Sequence, residues 1–198
     1  MSGKAKKAPK KRIIVTLGDS ITAGGYARDL RKIVPGSRTY TFGYGGKQTG
    51  FIMGKLDLAL AKKPDDIIIL AGVNDIASGK NFDHVTKNLK KMYDKAHKAG
   101  VRVIAVKILP WHARKSSRGK EHVTKKVNEW IDAQEGTEEV SVVIEGKKML
   151  SDDPSKYEMS KDYTGDGIHP NKAGKKRLAE IIAAKAFSDK KEEEELKK

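Results

Sequence analysis

The chain has 198 residues, enough for one domain with a sizeable core and too few for two full-sized ones. Lys and Arg number 41 against 26 Asp and Glu, a formal net charge of +15, and there is no Cys. Disulfides, thiolate catalysis and Cys-ligated metals are therefore excluded, and the longest mostly apolar stretch, 67–73, is far below the roughly 18 residues that a membrane-spanning helix needs.

In chain order, residues 1–12 carry Lys4, Lys6, Lys7, Lys10, Lys11 and Arg12 with no acid, and read as a basic flexible arm. Such an arm is expected to make weak contact with polyanions. The apolar run Ile13–Leu17 is too short for the core of a secretory signal and lacks a small-residue cleavage site, so the expectation is a soluble chain, cytoplasmic by default, with a secreted or virion-associated location as the alternative. That run reads as a first strand, followed by a helix candidate at Tyr26–Val34, a strand at Tyr40–Phe42 and a second helix candidate at Phe51–Lys62. A third strand is expected at Ile67–Leu70. Val85, Leu89, Met92, Tyr93 and Ala96 then recur on one helical face, with Gly100 as the stop. A fourth strand is expected over Val101–Leu109, a helix through Val123, Val127, Trp130, Ile131 and Gln134, and a fifth strand at Val140–Ile144. Leu178, Ile181, Ile182 and Ala186 mark the last helix, and 189–198 is a charged end beyond a domain of residues 13–188. The first, third and fourth strands are nearly continuous Ile, Val and Leu, the signature of parallel strands covered on both faces. The alternation predicts a three-layer α/β/α sandwich with a five-stranded parallel sheet.

In such sheets ligands bind beyond the carboxyl ends of the strands, so the loops there are read for chemistry first. After the first strand, Gly18-Asp19-Ser20 places a hydroxyl at a strand-to-helix turn, where Asp19 or Ser20 is equally suited to capping the helix. After the second, Gly43 to Gly50 is glycine-rich but fails the dinucleotide fingerprint at Gln48 and the phosphate-loop pattern at Thr41 and Gln48. After the third, Asn74 in Gly72-Val73-Asn74-Asp75 offers an amide donor of the kind that stabilises oxyanions, or an ordinary turn residue. Near the end, Asp166-Gly167-Ile168-His169 sets an acid and an imidazole three residues apart, a spacing that lets both face one site. Asp162, Thr164 and Asp166 mimic the start of a calcium loop, but Ala173 stands where the bidentate Glu is required. Each element is weak alone; their order supplies nucleophile, oxyanion donors, base and base-orienter at one sheet edge.

With those blocks in that order, the chain resembles the SGNH hydrolases, the GDSL esterase/lipase superfamily, over roughly residues 13–187. Ser20, Gly46 in the glycine loop, Asn74, and Asp166 with His169 fall on the family's motif blocks. Ile21 replaces the Leu of the name motif, and Gly46-Lys47-Gln48-Thr49 lacks the acidic residue that many relatives carry after the Gly. Asn128 also matches a recurrent position on a late helix, with a structural role expected. The Gly-x-Ser-x-Gly elbow of other α/β-hydrolases is absent.

The resemblance implies a flavodoxin-like sandwich and a serine ester hydrolase that needs no metal or organic cofactor. In that reading Ser20, His169 and Asp166 form the triad, and the oxyanion hole comprises the Ser20 and Gly46 N–H groups and the Asn74 amide. A free imidazole titrates near 6.5, and a base must be neutral to accept a proton, so activity is expected to rise through roughly pH 6–8. The family handles acetylated sugars, lysophospholipids, thioesters and wall glycans. Without an apolar lid in the sequence, short acyl esters, including O-acetylated carbohydrate, are the first expectation. Trp111, His112, Arg114, Lys115, Arg118 and Lys120 form a basic stretch beside the active edge, read either as a contact for an anionic substrate or as a solvated loop. The rival from another class is a polyanion-binding protein on an inactive hydrolase scaffold, against which stands the low aromatic content of 6%.

Overall fold

The computed structural model describes residues 11–112, 117–153 and 157–188. The basic arm up to residue 10, Arg114, Lys115 and the charged end 189–198 lie outside the described residues. The elements run β1 (Arg12–Gly18), α1 (Ser20–Ala23), α2 (Tyr26–Ile33), β2 (Ser37–Gly43), α3 (Thr49–Met53), α4 (Leu56–Leu60), β3 (Asp66–Leu70), α5 (Val73–Ala77), α6 (Phe82–Lys98) and β4 (Arg102–Val106). They continue with α7 (Ser117–Asp132), β5 (Val142–Ile144), α8 (Lys147–Leu150) and α9 (Lys172–Ala186).

The five strands form one parallel sheet in the order β2-β1-β3-β4-β5. Because side chains alternate along a strand, each strand feeds two cores. Val15, Leu17, Ile67, Ile69, Val103 and Ala105 pack on one face against α3, α4, α6 and α7, with Leu89, Met92 and Val127 fully or almost fully buried there. Ile14, Ile68, Leu70, Ile104 and Val106 pack on the other face against Tyr26 and Leu30 of α2 and Leu178 and Ile182 of α9. Each such side chain contributes about 1.5–3 kcal/mol when fully buried, and burial on both faces is why these strands read as unbroken apolar runs.

At the amino ends of the strands, the fully buried Asp66 accepts from Arg12 Nε at 2.5 Å and Nη2 at 2.8 Å, and Arg102 Nη1 lies 3.2 Å away. A carboxylate so placed is tolerable only when paired. Arg12 thus belongs to the first strand rather than to the arm.

The opposite edge matters for function. The chain passes from β1 to β2 on one side, then returns to β3 on the other side of β1, so β1 and β3 flank the crevice where the winding reverses. The register aligns Gly18 with Gly43 on one side and with Leu70 on the other, so the loops after β1, β2 and β3 leave the sheet at one level.

Three boundaries differ from expectation for identifiable reasons. The helix expected over Phe51–Lys62 is broken into α3 and α4, with Gly54 closing the first through its N–H to the Gly50 carbonyl at 3.3 Å. The fourth strand stops at Val106, because both backbone groups of Ile108 are taken by the Asn128 side chain. Of the described residues in the basic stretch, Trp111 is buried and Arg118 and Lys120 belong to α7, so these are not parts of a solvated loop.

Candidate active site

Gly18 ends β1 where space is too tight for any side chain: a Cβ there would lie 2.2 Å from the Leu70 carbonyl oxygen and 2.3 Å from Thr22 Oγ1. Gly43 at the end of β2 is crowded in the same way by the Ala23 backbone. These close approaches let α1 sit down on the strand ends, and α1 begins with Ser20. Asp19 is the N-cap, with Oδ1 accepting from the Ile21 N–H at 2.9 Å. The capping expected of this tripeptide and the exposure of the Ser20 hydroxyl therefore coexist.

Asp19 itself is buried, and its Oδ2 has no hydrogen-bond partner among the described residues. Burial, opposed by the Ile21 N–H and by His169, pushes its carboxyl up to about 6.

Ser20 and His169 are 149 positions apart in sequence, yet Ser20 Oγ is 2.8 Å from His169 Nε2. His169 Nδ1 faces Asp166 Oδ2 at 2.6 Å. The other carboxylate oxygen, Oδ1, accepts from the backbone N–H of His169 at 2.7 Å and of Ile168 at 2.9 Å. The hydrogen bond from His169, aided by these backbone donors, holds the Asp166 carboxyl well below the usual carboxylate range. An ionised acid at Nδ1 fixes the proton on that nitrogen and leaves Nε2 as the acceptor toward Ser20.

The turn carrying the pair is braced from inside and outside. Thr164 Oγ1 donates to the His169 carbonyl at 2.8 Å and accepts from the Gly167 N–H at 3.0 Å. The His112 N–H donates to the Gly167 carbonyl at 2.8 Å, so the segment leaving β4 supports the turn from its far side. Asn128 anchors that segment, its Oδ1 accepting from the Ile108 N–H at 2.7 Å and its Nδ2 donating to the Ile108 carbonyl at 2.9 Å.

The glycine loop reaches the same edge. Tyr44 N–H donates to the Gly18 carbonyl at 2.9 Å, and Asn74 Nδ2 donates to the Lys47 carbonyl at 3.1 Å, next to Gly46. Gly46 adopts φ 69°, a conformation that favours glycine, and its α-carbon faces open space. Beneath the loop, Asp75 accepts from the Thr49 N–H at 2.9 Å and the Thr49 hydroxyl at 2.6 Å. Asn88 on α6 donates to the same hydroxyl at 2.9 Å. This tie between Thr49 and Asp75 was missed in the sequence, where nothing but the adjacency of Asp75 to Asn74 hints at it.

His169 and Asp166 are about half exposed, at 47% and 51% of their side-chain surface, so the site is shallow and open. Among the described residues no group of three or more His, Asp or Glu side chains is arranged to hold a metal, and no helix is long and apolar enough to cross a membrane.

The model of the GDSL-like Lipase/Acylhydrolase family matches residues 16–177. The chain belongs to that family. It is an ester hydrolase of the esterase/lipase type, as its sequence blocks led one to expect. No curated protein matches the chain. Among solved structures it is similar to a GDSL-like lipase from Bacteroides thetaiotaomicron, with a TM-score of 0.75 and 21% identity over 91% of this chain and 90% of that one. A lipolytic G-D-S-L family member from Veillonella parvula gives a TM-score of 0.73 and 21% identity over 89% and 98%. The lipase/acylhydrolase from Enterococcus faecalis gives 0.69 and 22% over 87% and 94%. At these identities the likeness is one of fold, and it extends over the whole sandwich of the family member described above.

Proposed function

We propose that this GDSL-family hydrolase is a serine esterase for short acyl groups, with O-acetylated carbohydrate as the first candidate substrate. The observation that carries the reading is the chain of contacts from Ser20 Oγ to His169 Nε2 at 2.8 Å and from His169 Nδ1 to Asp166 Oδ2 at 2.6 Å. In this reading His169 Nε2 accepts the Ser20 proton as Oγ attacks the ester carbonyl carbon. Asp166 holds the imidazole in the required tautomer and offsets the charge it gains. The oxyanion accepts from the Ser20 and Gly46 N–H groups and from the Asn74 amide. Collapse expels the alcohol, which takes the proton from His169. Water, activated by the same base, then cleaves the acyl-serine to the carboxylic acid and free Ser20.

The short-acyl preference rests on the openness of the site. Large apolar side chains exposed among the described residues are Ile33, Phe51 and Leu58, too few to line a trough for a long chain.

The test is labelling with a fluorophosphonate probe, wild type against Ser20→Ala, beside a p-nitrophenyl ester series of increasing chain length. Labelling that requires Ser20 and turnover that peaks at acetate to butyrate is the expected result. A peak at long chains moves the substrate to lysophospholipids or fatty thioesters. Turnover that survives in Ser20→Ala overturns the nucleophile assignment.

A further inference from the structure

Between α2 and α9 runs an open groove of about 1210 Å³, larger than the usual 300–1,000 Å³ of a small-molecule pocket. Its walls carry Arg28, Arg31 and Lys32 from α2 and Lys172, Lys175 and Lys176 from α9. On each helix the three cations are spaced i, i+3 and i+4, so each set forms one row, and the rows border the same groove. One carboxylate, Asp29, lines it, and is paired with Lys32 at 2.8 Å. Lys176 lies 3.8 Å from Glu180. Among the described residues Arg28, Arg31, Lys172 and Lys175 have no acidic partner.

Helix stability explains Arg31 and Lys32, which stand in the last turn of α2 at the negative end of its dipole, but not Arg28 or the row on α9. Like charges at i, i+4 repel, and α9 has lysines but no acid in its opening turns, the wrong sign for the positive end of a helix dipole. Nor is the groove remote from the chemistry. It begins at Gly25, just after the short helix headed by Ser20, and at Asn171, two residues past His169. Lys175 and Arg28 crowd that end: a Cβ on Gly24 would lie 3.2 Å from Lys175 Cε, and one on Gly25 3.0 Å from Arg28 Nη2.

We infer that the α2–α9 groove is a binding subsite for the backbone of an acidic polysaccharide whose O-acyl groups are presented to Ser20. The inference rests on the esterase reading above and names its substrate class. Cations in two facing rows suit a linear chain carrying anions at intervals. No aromatic side chain lines the groove for base stacking, as single-stranded nucleic acid would use, and a membrane surface calls for several apolar anchors, whereas Ile33 is the one large apolar side chain in the groove among the described residues.

The experiment uses the full chain carrying Ser20→Ala, with binding of a deacetylated polyuronate followed by calorimetry. Reversing two charges at the catalytic end, Arg28→Glu with Lys175→Glu, is expected to weaken binding about ten-fold or more. The control is Lys91→Glu with Lys98→Glu, exposed positions on α6 in the opposite layer that change the net charge equally. Equal loss in both pairs reduces the effect to overall charge and overturns the subsite. Groove-dependent binding of duplex DNA or anionic vesicles in place of polyuronate overturns the assigned ligand. In Ser20-containing protein, acetylated polyuronate is expected to be deacetylated about ten-fold faster than an acetylated neutral glycan, a preference that the groove pair abolishes. Equal rates on the two polymers overturn the subsite and leave the esterase reading standing. Failure of fluorophosphonate labelling overturns the esterase reading and, with it, delivery to Ser20.

Discussion

Thr49 and Asp75 tie the glycine loop to the helix that presents Asn74. Both carboxylate oxygens of the fully buried Asp75 accept from Thr49, Oδ2 from its N–H at 2.9 Å and Oδ1 from its hydroxyl at 2.6 Å, and His84 Nε2 lies 3.4 Å from Oδ1. An amide at position 75 keeps one acceptor for the Thr49 N–H, and its NH2 leaves the Thr49 hydroxyl, which already accepts from Asn88, without an acceptor for its proton. Asp75→Asn is therefore expected to lower stability by about 2–3 kcal/mol, the scale of hydrogen bonds to a charged group, and to lower kcat through a loosened Gly46 segment. Thr49→Ser keeps both bonds and should stay near wild type. Urea unfolding with p-nitrophenyl acetate kinetics decides it; a destabilised Asp75→Asn that keeps full kcat shows that the loop holds its place without the tie.

Asn74 has two amide hydrogens, one of which is committed to the Lys47 carbonyl at 3.1 Å. That bond fixes the amide plane and leaves the second hydrogen for an oxyanion. Asn74→Ala should lower kcat by about 10²–10³-fold with little change in KM, the usual effect of losing one such donor. Its melting temperature should stay close to wild type, because Asn74 is only partly buried. Unchanged hydrolysis by the folded variant removes Asn74 from the mechanism.

What the sequence disclosed follows from how each feature is encoded. β1, β3 and most of β4 were legible because burial on both faces leaves a continuous apolar run. β2 was seen only at Tyr40–Phe42, since it is an edge strand whose residues are half-buried or exposed and whose first three are polar or charged. The apolar run past Val106 reads as more strand because Ile108 and Leu109 are buried as loop residues, and periodicity does not separate the two cases. Ser20 and Asn74 are legible because each lies just past a strand end in the first turn of a short helix, and Asp166 with His169 because the pair stands at a fixed spacing in the turn before the last helix. Which distant residue braces them is not: Thr49 with Asp75, and Asn128 with Ile108, are choices of partner made by the fold, and no local pattern records them.

Asp19 makes stability depend on pH in a defined direction. Its buried carboxyl is pushed up to about 6, whereas the unfolded chain releases that proton near 4. Below about pH 4 the group is protonated in both states. From about 4 to 6 the folded chain keeps a proton that the unfolded chain has lost, so this contribution to stability declines as pH rises. Above 6 both are ionised and the full cost stands, on the order of 3 kcal/mol. Asp19→Asn retains the oxygen that caps Ile21 and removes the charge. It should raise the unfolding midpoint at pH 8 and leave it unchanged at pH 4. An equal gain at both values traces the effect to packing and refutes the charge argument.

Asn128 is connected to the turn of the candidate site through the segment from Ile108 to His112, which is hydrogen-bonded at both ends. Its side chain satisfies both backbone groups of Ile108, and four residues later the His112 N–H holds the Gly167 carbonyl at 2.8 Å, inside the turn that carries Asp166 and His169. Asn128→Leu is close in size but offers neither donor nor acceptor, and leaves the Ile108 N–H and C=O buried and unpaired. The expected loss is about 2–4 kcal/mol of stability, from two unsatisfied groups. If the segment is what steadies the turn, kcat should fall at temperatures where the variant is fully folded, and KM for p-nitrophenyl acetate should stay nearly constant. Asn128→Gln, which keeps both hydrogen-bonding groups on a longer arm, should recover part of the stability and part of kcat together. Stability recovered without kcat would separate the clamp from the turn and confine Asn128 to the fold.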